Sequence, residues 1–200
     1  MTRKIGFKYL ILFVLGAFIF IYLGCNTGVE SSPTPGILRI TLESDPADTS
    51  IIIVTDTLHV SDKDGFRIKV YQGKVYHDTA YATLYPTLAS NSQEELYYNL
   101  IVRENNQYSK FTIFESYVPP QKYDEVQFGI DSDYLKLKNF DMISVETPTN
   151  YFVNLKHDFE VFENKVTEVN IRVSPFKSVS RYKDKYIFEP QMQIADVKYY

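Results

Sequence analysis

Two hydrophobic patterns divide this chain. From Tyr9 to Leu23 the residues are apolar without a break apart from Gly16, Tyr9 and Tyr22. Beyond Gly36 the apolar residues instead alternate with polar ones at period two, the mark of strands that bury one face. The alternation and the β-branched runs predict strands over Ile37 to Glu43, Ser50 to Val54, Phe66 to Tyr71, Leu96 to Arg103, Tyr108 to Glu115, Glu125 to Ile130 and Tyr134 to Leu137. Further strands are predicted over Tyr151 to Asn154, Asp158 to Phe162, Thr167 to Val173, Tyr186 to Phe188 and Gln191 to Val197. Glu104-Asn105-Asn106-Gln107 reads as the turn of a hairpin between its flanking strands. Helical signal is confined to Ser90 to Glu95, which opens in capping style but carries no apolar stripe. Many short strands separated by turn signals predict an all-β, antiparallel sandwich.

The uninterrupted run has a different meaning. Arg3, Lys4 and Lys8 precede it, giving the basic start and apolar centre of a secretory signal. At about fifteen residues it falls short of the roughly twenty that a helix needs to cross a bilayer core. Leu23-Gly24-Cys25 follows and resembles the lipobox of bacterial lipoproteins, although Tyr22 stands where an aliphatic residue is usual. That resemblance implies cleavage between Gly24 and Cys25, and diacylation of the cysteine. Cys25 is the only cysteine of the chain and ends an export leader, where a core thiol has no use. Several acyl chains, each contributing about 0.8 kcal/mol per buried methylene, would hold the protein firmly on a membrane. The predicted organisation is therefore a leader over 1–24, a lipidated cysteine and flexible tether over 25–36, and a sandwich over 37–200. Asn26, by resemblance to the sorting rule of Gram-negative lipoproteins, points to the outer membrane.

Composition narrows the choice of partner. Arg3, Lys4 and Lys8 leave with the leader, which lowers the formal net charge from −4 by their three units to about −7. So acidic a domain is a poor partner for nucleic acid or for an anionic membrane face. The 17 Tyr and 14 Phe, with no Trp, suit pleated, half-buried surfaces. With no second cysteine, stability must come from a packed core, even though export leads to an oxidising compartment.

No recognisable catalytic constellation appears. His59, His77 and His157 are scattered and match no metal-ligand spacing. Asp62-Lys63-Asp64-Gly65 and Asp131-Ser132-Asp133 have oxygen ligands but lack the register of a calcium loop, so both read as turns. Asp45 and Asp48 around Pro46 fit a turn with side-chain-to-backbone bonding better than a pair of catalytic carboxylates. Nucleophile elbows, phosphate-cradling glycine loops and dinucleotide fingerprints are missing, so neither an enzyme nor a cofactor is expected. The candidate surface is instead Tyr71, Tyr76, Tyr81 and Tyr85, with Tyr97-Tyr98 and Tyr199-Tyr200 elsewhere. Rings with a polar tip suit protein or glycan contact, while the plain alternative places them in the core of an aromatic-rich sandwich.

Three segments carry a wider likeness. They are Gly36 to Leu42 followed by Ser44-Asp45-Pro46-Ala47-Asp48; then Val118-Pro119-Pro120-Gln121-Lys122-Tyr123 leading into Asp124 to Phe128; and finally Val166 to Ile171, Lys177-Ser178-Val179 and Tyr186 to Pro190. In order and spacing they resemble a family of bacterial lipoprotein domains known as domain of unknown function 4382 (DUF4382). The resemblance spans most of residues 36 to 197 and is poor from about Asp56 to Ser92. It implies a prealbumin-like or carboxypeptidase-regulatory-like β-sandwich on a lipid anchor, and no activity. On these grounds the expected role is non-enzymatic binding or envelope structure. An accessory subunit using an exposed sheet edge is the second reading, and a hydrolase the weakest.

Overall fold

The computed structural model describes residues 32–61, 63–138 and 142–200. The leader, Gly24, Cys25, most of the tether and Asp62 lie outside the described residues. The strands are β1 (Gly36–Ser44), β2 (Ser50–Ile53), β3 (Asp56–His59), β4 (Gly65–His77), β5 (Ala80–Leu84), β6 (Leu96–Asn99), β7 (Arg103–Glu104) and β8 (Gln107–Tyr108). They continue with β9 (Phe111–Val118), β10 (Lys122–Lys136), β11 (Val145–Glu146), β12 (Phe152–Glu160), β13 (Val166–Val173), β14 (Val179–Tyr182), β15 (Lys185–Phe188) and β16 (Met192–Tyr199).

Two sheets form the sandwich. One has four strands in the order β16-β13-β1-β9, and the other runs β12-β10-β4, with β5 and β6 sharing the far edge of β4. Pairing is antiparallel except between β1 and β13 and between the short β11 and β15. Period two explains the layering. Leu38, Ile40 and Leu42 of β1, and Val169, Ile171 and Val173 of β13, turn inward and are fully buried. Opposite them lie Phe66, Ile68 and Val75 of β4, Val126, Phe128 and Ile130 of β10, and Val153 and Leu155 of β12. Each such side chain contributes about 1.5–3 kcal/mol by leaving water. Along one side the sheets are joined, because Glu115 N of β9 donates to Tyr85 O just after β5. Gly73 lets the sheets come close there, since a Cβ on it would meet the Phe114 ring at 2.7 Å.

Several predicted elements are redrawn. Glu125 to Ile130 and Tyr134 to Leu137 belong to the single strand β10, so Asp131-Ser132-Asp133 is strand and not turn. Its turn-like composition is that of an exposed strand face: Asp131 lies opposite Lys69, and Asp133 is ion-paired with Arg67. Likewise Tyr151 to Asn154 and Asp158 to Phe162 are largely one strand, β12, irregular around His157. The Asn105-Asn106 turn forms, with φ of 51° and 64°, but its ladder holds only β7 and β8. The flanking strands part company, β6 pairing with β4 and β9 with β1, because the chain crosses there between sheets. Ser90 to Glu95 is not helical. So short a polar stretch has no apolar face to offset the cost of nucleation. The strands missed by the pattern, β3, β5, β11 and β14, are short, and β3 and β14 are mostly exposed.

Candidate binding face

On a regular strand Tyr71 and Tyr76, five residues apart, would point to opposite faces. They share one because β4 carries an extra residue: Gly129 pairs with Tyr71 and Gln127 with Lys74, so Gln72 and Gly73 together oppose Phe128. Gln72 takes a φ of 50°, which fits a bulge. A two-residue turn at Asp78-Thr79 then reverses the chain and sets Tyr81 directly across from Tyr76. Tyr71, Tyr76 and Tyr81 thus line the outer face of the five-stranded sheet. Tyr85 does not belong with them: it lies past the end of β5, where its backbone is bonded to β9 at the junction of the sheets.

The face is wider than the sequence suggested. Tyr76 and Tyr81 have ring centroids 5.6 Å apart at 47°, and Tyr71 meets Phe152 edge-on at 6.0 Å. Tyr71 also lies over Gly129, where a Cβ would come within 2.2 Å of its ring. Arg67 sits between the rings of Tyr97 and Tyr134, 4.9 and 4.8 Å from their centroids. Lys74 lies 4.5 Å from the Tyr81 centroid and Lys69 5.7 Å from that of Tyr71, both within cation–π range. Tyr76 Oη donates to Gln127 Oε1 (3.1 Å), and Gln127 Nε2 donates to Asn154 Oδ1 (2.6 Å), a polar row across three strands. Tyr81 and Tyr97 keep 56% and 55% of their surface in water, while Tyr71, Tyr76 and Tyr134 are half-buried. Arg67, Gln127, Tyr134 and Phe152 were not singled out in the sequence. The available signal was the cation alternation Arg67, Lys69 on β4, which marks its outer side.

Charge on this face is balanced. Lys69 Nζ stands 3.3 Å from Glu95 and 3.9 Å from Asp131. Burial works against its charge, but these carboxylates outweigh it and hold the ammonium above its ordinary value. Burial, followed by the Asp131 charge, raises the Tyr71 phenol. The Tyr71 ring therefore stays a neutral hydrogen-bonding group at physiological pH. The tilts of the Tyr76–Tyr81 and Tyr71–Phe152 pairs make the surface ridged, with ring edges, amides and cations side by side.

The remaining candidate residues serve the fold or lie dispersed. Asp48 is buried and its Oδ2 accepts from the Phe176 and Lys177 amides (2.7 and 3.1 Å). Asp45 Oδ1 accepts from Ala47 N, the side-chain-to-backbone turn expected of it. Asp64 accepts from Ser61 N and Lys138 N, both at 2.6 Å, pinning two loops. His59 pairs with Ser50 at the open end of the β2–β3 hairpin. His77 and His157 border an open acidic cleft with Asp78, Asp124 and Asp158, where Asp124 Oδ2 accepts from Asp78 N at 2.9 Å. Among the described residues no group of three or more His, Cys, Asp or Glu is arranged to hold a metal ion.

Two segments far apart in sequence meet through Asp48. Its carboxylate caps the turn that carries Lys177-Ser178, and Ser178 Oγ in turn donates to Ser174 O (2.6 Å) and accepts from Gln191 N (2.8 Å). Tyr123, in the middle segment, is buried and donates to Pro119 O at 2.8 Å. Comparison of the chain with family models, with curated proteins and with solved structures finds no match.

Proposed function

We propose that this protein is a lipid-anchored, non-enzymatic binding module of the bacterial cell envelope. It is held at Cys25 and offers the outer face of its five-stranded sheet to a protein or glycan partner. The observation that carries the reading is the gathering of Tyr71, Tyr76, Tyr81, Tyr97 and Tyr134 on one solvent-facing surface, among cations and amides. Aromatic residues and Arg so placed are the groups that dominate binding energy at interfaces. The anchor is supported by the leader and by Leu23-Gly24-Cys25, and Asn26 favours the outer membrane. The resemblance to the DUF4382 lipoproteins is a reading of the sequence, and the Asp48 cap joins two of the three segments that carry it.

The test has two parts. Globomycin treatment should block maturation, and mass analysis of the mature N-terminus should find acyl groups on Cys25. A glycan array and a pull-down from envelope extracts, each repeated with Tyr76→Ala and Tyr81→Ala, should then show a partner lost on substitution. Capture indifferent to both substitutions would remove the assigned face.

A second reading rests on the outer edge of β16, which has no strand partner among the described residues. Such an edge can accept a strand from another chain. Here it is blunted by an irregularity at Ala195 and by the Asp196–Lys198 pair (3.6 Å), devices that discourage edge pairing. The tyrosine face is accordingly preferred.

A further inference from the structure

The chain following Cys25 enters the sandwich at Gly36, in the central region of the four-stranded sheet. The outer face of that sheet changes character at this end. Its last row, read across the strands, is Tyr117 on β9, Ile37 on β1, Val166 on β13 and Tyr200, which exchanges both backbone bonds with Val166 (2.9 and 3.2 Å). All four are apolar or aromatic, and Tyr117 and Tyr200 keep 58% and 61% of their surface in water. At the same end Phe162 and Tyr199 meet edge-on at 5.6 Å, both exposed. The next row along the sheet is wholly charged: Glu115, Arg39, Glu168 and Lys198.

We propose that this end of the sandwich settles into the headgroup layer of the membrane that holds Cys25, and that the lipid surface is zwitterionic. The proposal rests on the reading that Cys25 is acylated. Eleven peptide steps from Cys25 to Gly36 reach at most about 40 Å when fully extended, and roughly 17–20 Å as a coil. Among the other exposed apolar side chains, Ile52 and Val54 on the β2–β3 hairpin follow the far end of β1, about 30 Å away along its nine residues, and Leu88 and Met142 lie singly in loops outside this row. The end that the anchor brings to the bilayer is thus the one bearing the ring of Tyr117, Tyr199, Tyr200 and Phe162. Tyrosine is enriched where one end of a side chain meets hydrocarbon and the other meets water. The charged row behind limits the depth, since those groups lose hydration if carried further in. Lys198 is paired with Asp196 (3.6 Å), and Lys165 follows Glu160 and Glu163 in the chain, so the charge at this end does not favour anionic lipid.

The chain has no tryptophan, so each substitution to one is a single reporter. Tyr117→Trp, Tyr200→Trp and, as the remote comparison on β14, Tyr182→Trp are prepared in the full-length chain. Each is matured by the cell and reconstituted in phosphatidylcholine vesicles with brominated acyl chains. The first two should shift their emission to the blue and be quenched at least about twofold, as expected of interfacial rings, and the third should be unquenched. An acylated protein quenched at neither position overturns the proposal, as does equal quenching at all three. A blue shift without bromine quenching identifies a second copy or another protein on this surface, and also overturns it. Absence of acyl mass on Cys25 instead overturns the anchored reading, and the proposal with it.

Discussion

The two outer faces of the sandwich use polar residues in opposite ways. On the four-stranded sheet the charges satisfy one another: Arg39 bridges Glu115 (2.8 Å) and Glu168 (3.5 Å), Lys110 reaches Glu168 (2.7 Å), and Arg172 holds Glu43 (2.6 Å). On the five-stranded sheet Arg67 and Lys69 are paired with carboxylates as well, but they and Lys74 also lie beside aromatic rings, two of which, Tyr81 and Tyr97, stay more than half exposed. The first surface is closed on itself. The second leaves aromatic surface in water, the feature on which the proposed recognition role rests.

Truncating the hub of the closed face should give the largest effect. Glu168→Ala leaves Arg39 and Lys110 without their shared carboxylate and should cost about 1.5–3 kcal/mol, the range for hydrogen bonds to charged groups, measured by urea denaturation, with partner capture unchanged. Burial opposes ionisation of Glu168, but Lys110 and then Arg39 outweigh it and lower its pKa. Its contribution is therefore present above the unfolded carboxylate pKa and is lost as pH falls through the lower folded value. In Glu168→Gln that acid-limb loss should shrink.

Gly129→Ala attacks the open face from beneath. The new Cβ would displace the Tyr71 ring, costing about 1–2 kcal/mol through overpacking. It should weaken capture while every tyrosine remains, measured by calorimetry alongside denaturation. Tyr81→Ala should shift stability by no more than about 0.5 kcal/mol, as at most exposed sites, yet reduce capture. Equal losses of stability from Tyr81→Ala and Glu168→Ala would erase the distinction between the faces.

The smallest effect is expected on β6. Burial pushes the Tyr98 phenol up to about 12, whereas its neighbour Tyr97 is exposed on the open face. A raised phenol stabilises the fold fully below the unfolded value of about 10, and that share is lost as pH rises through the folded one. Tyr98→Phe should therefore flatten the alkaline limb of the stability profile, measured by denaturation across the alkaline range.

The sandwich was legible wherever a strand buries one face and meets water on the other, as in Ile37 to Glu43 and Thr167 to Val173. It was misread where ion pairing on an outer face imitates turn chemistry, as at Asp131-Ser132-Asp133, whose partners Lys69 and Arg67 lie more than sixty residues away. The tyrosine cluster was visible as a local concentration, but its shared orientation was not. That orientation depends on the bulge at Gln72, and bulges are set by register between strands and not by local composition. Tyr134 and Phe152 could not be grouped with the cluster before β4, β10 and β12 were known to be neighbours.

One feature of the first strand bears on how the molecule takes mechanical load. The segment leading to Cys25 departs from β1, which is flanked on both sides, by β13 and by β9. A pull along the axis of β1 from its N-terminal end strains both ladders in shear, so their bonds must yield nearly together. A border strand pulled from its end would open one bond at a time, like a zip. The N-terminal end of β1 thus sits where the sheet best resists being unravelled from that end.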